Sequence, residues 1–81
     1  MEQILTIKST SGLHASLASK IVQLAGRYDA DIQLKYDDKV MDAKSILGLL
    51  SLAIPSGENL VVIANGSDAT EAVKEIQKLL E

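Results

Sequence analysis

The 81-residue sequence predicts an α/β two-layer sandwich, and three observations carry that prediction. Four stretches alternate apolar and polar residues, or run apolar between turn residues, as strands do. Three stretches repeat apolar residues at helical spacing. The two kinds follow one another as β-α-β-β-α-β-α, with no internal repeat, linker or low-complexity stretch, so one domain over residues 1–81 packs helices on a four-stranded sheet.

The first strand lies in residues 3–8, with Leu5 and Ile7 on one face and Ile4, Thr6 and Lys8 on the other. After the turn composition Ser9-Thr10-Ser11-Gly12, apolar residues at Ala18, Ile21, Val22 and Ala25 predict a helix over about Ser16–Arg27, closed at Gly26-Arg27-Tyr28-Asp29. Ile32, Leu34 and Tyr36 alternate in the second strand. Tyr36-Asp37-Asp38-Lys39 reads as a hairpin turn, because Asp tolerates turn dihedrals. Lys39–Ala43 is the third strand, with Met41 and Ala43 on one face. Ser45 is a natural N-cap for the short apolar helix Ile46–Leu52. Pro55-Ser56-Gly57 turns the chain into the fourth strand, Leu60–Ala64, which Asn65-Gly66-Ser67 closes. The last helix opens at Asp68-Ala69-Thr70-Glu71, a capping-box-like start with acids near the positive end. Its apolar stripe is Ala69, Ala72, Val73, Ile76, Leu79 and Leu80, and Glu71–Lys74 and Glu75–Lys78 are spaced for ion pairs on the outer side.

Composition excludes several classes of function. There is no cysteine, so no disulfide framework and no thiolate metal site, and a single histidine among scattered carboxylates makes a transition-metal centre unexpected. No cofactor is implied. Eight basic residues against eleven acidic ones, with no basic run, argue against nucleic acid. No stretch approaches the roughly 20 apolar residues that span a bilayer, and Met1-Glu2-Gln3 lacks a signal peptide's charged and apolar regions, so a cytoplasmic protein with no membrane insertion is expected.

The most informative residue is His14, the only histidine, which stands where the first helix begins. A helix start exposes unpaired N–H groups and the positive end of the macrodipole, and phosphate binds there readily. An imidazole at that spot can take a phosphoryl group whose charge the backbone donors meet. A lone histidine before a helix is ordinarily a cap and no more; the residues around it decide otherwise.

Those residues are Ser11-Gly12-Leu13-His14-Ala15, followed by Ala18 and Val22-Gln23, and a second run, Ala43-Lys44-Ser45-Ile46-Leu47-Gly48-Leu49-Leu50-Ser51-Leu52-Ala53. With the element order, they resemble HPr, the histidine-containing phosphocarrier of the bacterial phosphoenolpyruvate-dependent sugar phosphotransferase system. The second run is similar to the regulatory-serine segment of HPr from Gram-positive bacteria, and the resemblance covers essentially the whole chain. It implies an open-faced sandwich, with an antiparallel four-stranded sheet and the helices on one face. It implies phosphorylation of His14 on Nδ1 by enzyme I, then transfer to an enzyme IIA domain. It also implies phosphorylation of Ser45 by HPr kinase/phosphorylase, the modified form slowing sugar uptake and binding the catabolite control protein.

The family motif normally runs His-Ala-Arg-Pro-Ala, and here it runs His14-Ala15-Ser16-Leu17-Ala18. The arginine would give charge-assisted hydrogen bonds, about twice as strong as neutral ones, and the proline is a preferred helix-start residue. Ser16 keeps an N–H and adds a hydroxyl, and Leu17 restores an N–H. A phosphoryl pocket of Ala15, Ser16 and Leu17 therefore holds more neutral donors and one positive charge fewer, and slower transfer or altered partner choice is expected.

Ser45 combines two compatible roles, because a phosphate on an N-cap residue is stabilised rather than disruptive. If Ala18, Ile21, Val22 and Ala25 face the sheet, Leu17 and Leu24 lie toward the edge. With Leu47 and Leu50 they would form an apolar docking patch beside His14. On the open sheet face, Val61 and Ile63 are expected to point outward near Ile4, a mild exposure compatible with a monomer. The alternative function is a regulatory HPr-like paralogue that acts through Ser45 in catabolite repression, with His14 weak or idle. Retention of the histidine favours the carrier, and loss of the arginine favours the regulator.

Overall fold

A computed structural model describes residues 1–81. Its elements are β1 (Glu2–Thr6), α1 (Ala15–Ala25), β2 (Asp31–Tyr36), β3 (Lys39–Asp42), α2 (Ile46–Leu52), β4 (Asn59–Asn65) and α3 (Ala69–Leu80). The sheet order is β1-β4-β2-β3, and every neighbouring pair is antiparallel. β1 and β2 thus run the same way with β4 between them, and β3 and β4 run the same way with β2 between them. Each such pair is joined through a helix, α1 or α2, so two split β-α-β units interlock. This is the open-faced sandwich, with the helices on one face of a four-stranded antiparallel sheet.

Alternation along the strands decides which face is covered. Leu5, Ile32, Leu34, Leu60, Val62 and Ala64 are buried against Ala18, Ile21, Ala25, Leu49, Leu52, Ala72, Val73 and Ile76 of the helical layer. The opposite face is open. There the register sets Ile4 opposite Val61 and Glu2 opposite Ile63; Ile4 is exposed, and Val61 and Ile63 are partly covered.

The β2–β3 hairpin turns at Asp37, whose φ of 55° lies in the left-handed region that Asp tolerates in turns. β1 stops at Thr6 because Ile7 leaves the ladder: its N–H donates to the Glu58 carbonyl, and its carbonyl accepts from Gly57. Ile7 nevertheless stays in the core. α1 begins one residue before the predicted start and ends earlier than Arg27. After Gly26 its bonds tighten to the i→i−3 pattern, Arg27 to Leu24 and Tyr28 to Ala25.

Two expectations about side chains are corrected. Leu17 is not at the edge of α1; it is 7% exposed and belongs to the core. At about 100° per residue, the buried arc of Leu17, Ala18, Ile21 and Ala25 is rotated by about 40° from the stripe that included Val22, and Val22 becomes the rim residue. Asp68 precedes α3 but does not cap it. Its carboxylate turns away and accepts from the amides of Asp29 and Ala30, both at 2.9 Å, clamping the α1–β2 turn to the start of α3. Of the two predicted outer ion pairs on α3, Glu75–Lys78 forms, at 2.9 Å.

Candidate functional site

His14 is the N-cap of α1, with extended backbone (φ −88°, ψ 174°), and its ring makes no capping hydrogen bond. Its carbonyl accepts the first helical bond, from Ala18 at 2.9 Å. The amides of Ala15, Ser16 and Leu17 precede that ladder and are the donors a helix start leaves unpaired. The imidazole is half-buried, and Ala15 and Ser16 are exposed beside it. A ring with solvent access, three open amides and the positive end of an 11-residue helix together suit a group that gains negative charge.

The loop before His14 is held from below. Leu13 donates to the Ile54 carbonyl at 2.8 Å. Gly12 has φ +68°, and a methyl group on it would lie 2.5 Å from that same carbonyl oxygen. Glycine here serves both conformation and close approach. The α2–β4 segment therefore sets the height at which the His14 backbone enters the helix, a long-range contact that local turn composition does not reveal.

Ser45 caps α2 as predicted: its Oγ accepts from the Gly48 amide at 3.1 Å. The preceding Lys44 reaches back to the turn that follows α1, where its Nζ donates to the Tyr28 carbonyl at 2.9 Å. Sequence reasoning missed this strut and the Asp68 clamp, because the partners lie 16 and 38 or 39 residues apart. The Tyr28 hydroxyl is pushed above its ordinary pKa by burial, with the Glu71 and Glu75 carboxylates adding to it.

The four predicted docking leucines separate. Leu47 is 78% exposed, and Leu50 is half-buried against the core; both stand on α2, which packs against α1. Leu24 is half-buried and lines a groove between α1 and α3 with Leu79. Leu17, as described, is buried, and contributes to the site only through its amide. No three carboxylate or histidine side chains converge as a metal site. No helix is long and apolar enough to cross a membrane.

The family model described as PTS-HPr, PTS HPr component phosphorylation site, matches residues 1–81. The chain belongs to the HPr family of phosphocarriers of the phosphotransferase system. The phosphocarrier protein HPr from Bacillus anthracis str. Ames superposes with a TM-score of 0.96 at 36% identity, over 100% of this chain and 96% of that one. HPr-C-His from Thermoanaerobacter tengcongensis gives 0.94 at 36%, over 99% and 90%. Crh, the Bacillus subtilis catabolite repression containing protein, whose structure was described as a swapped-domain dimer, gives 0.80 at 37%, over 96% and 90%. Members of the HPr family work with other components of the phosphotransferase system, of which enzyme I and enzyme IIA are examples.

Proposed function

We propose that His14 is the phosphoryl acceptor through which this HPr-family protein works. Enzyme I is the donor, and an enzyme IIA domain is the recipient. A ring nitrogen of His14 attacks phosphorus; the N–P bond forms as the donor–phosphorus bond breaks, and the reverse step delivers the group downstream. The observation that carries the reading is the half-buried imidazole at the head of α1, followed by the amides of Ala15, Ser16 and Leu17. The Ser16 hydroxyl stands in the exposed first turn as a further neutral donor. Leu47 and Leu50 form the apolar docking surface, on the element that Ser45 caps.

Ser45 is the regulatory position, modified by HPr kinase/phosphorylase. The added charge then weakens the approach of acidic partners and creates the form that the catabolite control protein binds. The protein acts as a cytoplasmic monomer. Incubation with phosphoenolpyruvate and enzyme I gives acid-labile phosphate that His14→Ala abolishes; incubation with ATP and the kinase gives acid-stable phosphate that Ser45→Ala abolishes. Acid-stable phosphate alone, with no labelling of His14, would make the protein a regulator of the Crh kind instead.

A further inference from the structure

The Asp68 clamp places the start of α3 at the end of α1, so the two helices run antiparallel, and a groove lies between them on the outer side of the helical layer. Its volume is about 360 Å³, and it is open-sided. Leu24 and Leu79, both half-buried, contribute its apolar lining; Lys20 from α1, Arg27 from the turn just after it, and Glu75 and Lys78 from α3 contribute its charges.

The charge balance is what specifies an occupant. The protein as a whole carries −3, with eleven acids against eight bases, yet the groove gathers three of those bases against one acid. That acid is already engaged: Glu75 lies 2.9 Å from Lys78 on the same helix, which leaves Lys20 and Arg27 exposed with no salt-bridge partner. Long basic side chains around an apolar strip fit a ligand that brings carboxylates and one apolar side chain together. The open sides fit a segment of chain better than a small molecule, which such a trench would cover on one face only.

We propose that the α1–α3 groove is a docking surface for an acidic segment of a partner protein, one large apolar side chain lying between Leu24 and Leu79 and its carboxylates against Lys20 and Arg27. This surface is distinct from the Leu47–Leu50 surface on α2 and does not depend on phosphorylation of His14.

A fluorescein-labelled peptide of Glu, Leu and Phe, titrated with the full chain, tests it. Binding is expected, weakening with added salt, with amide shifts at Lys20, Leu24, Arg27 and Leu79 and none at Leu47. The exposed double charge reversal Lys20→Glu/Arg27→Glu should weaken it about tenfold or more while leaving phosphorylation by enzyme I unchanged. A peptide with every Glu replaced by Gln should bind no better than the reversed variant. The proposal is overturned by absence of binding, by equal affinity for the double variant, or by shifts centred on Leu47. It is equally overturned if Lys20 and Arg27 instead mediate self-association of the chain.

Discussion

Ser16 and Leu17, the positions at which the resemblance to HPr leads one to expect arginine and proline, have different surroundings in the structure. Ser16 is exposed beside His14, so its side chain is free to change without disturbing the core. A charge-assisted hydrogen bond contributes about 1.5–3 kcal/mol. Ser16→Arg alone should therefore speed phosphorylation by enzyme I about tenfold to a hundredfold; an unchanged rate in a single-turnover assay would show that the neutral donors already suffice. Leu17 does not offer the same freedom. Its side chain is in the core, and Leu17→Pro would remove it together with an open amide. Leu17→Ala should cost about 2–3 kcal/mol in a urea titration. The matched change Leu47→Ala, at a residue 78% exposed, should stay within about 0.5 kcal/mol yet weaken the complex with enzyme I. Reversal of that pattern would move the docking role from Leu47 to Leu17.

At the scale of elements, α1 and α2 start with different chemistry. The N-cap of α1 leaves its ring unbonded and its amides open, whereas the N-cap of α2 spends its hydroxyl oxygen on the Gly48 amide. Ser45→Ala should therefore lower stability by about 1 kcal/mol, measured by chemical denaturation, besides removing the hydroxyl proposed to be phosphorylated. A third start, that of α3, is joined to another part of the fold by Asp68. The Asp29 amide, helped by that of Ala30, holds the Asp68 carboxyl below its ordinary pKa of 3.8. A carboxylate depressed by folding adds stability that is present above the unfolded value and is lost as pH falls through the folded one. Asp68→Asn should therefore lower Tm at neutral pH, and the gap from the parent should close as the solution is acidified below 3.8. A gap that stays constant with pH would mean that the clamp does not depend on charge.

For the whole molecule, the interlocked β-α-β units bury the centre of one sheet face and leave the other face open. Ile4, 68% exposed, with partly covered Val61 and Ile63, makes a short apolar strip on that face, flanked in register by the polar side chains of Glu2, Gln33 and Lys35. A monomer is therefore expected across a concentration series in light scattering, in contrast to the swapped dimer described for Crh. A mass that doubles with concentration, and reverts in Ile4→Lys, would assign the open face to self-association.

Much of this was readable from residue order alone. Alternation at Leu5, Ile32, Leu34 and Leu60–Ala64, helical spacing in three segments, and turn residues between them are local signals, so the seven elements and the two-layer class follow without coordinates. The Ser45 cap was legible because a cap and the amide it governs lie within one turn, and the start of α1 beside His14 was legible to within one residue. What lay beyond the sequence involved rotation about a helix axis or contact across the chain. The fate of Leu17 turned on some 40° of helix rotation, which periodicity alone does not resolve when Leu17 and Val22 flank the same stripe. The strand order, the seating of Gly12 on Ile54, the Asp68 clamp, the Lys44 strut and the groove between α1 and α3 all join residues far apart in sequence. Only packing of the helices on the sheet decides which of those residues meet: burial of the shared apolar core sets the helices in place, and the contacts between distant segments then form where that packing brings them together, leaving no local pattern in the chain.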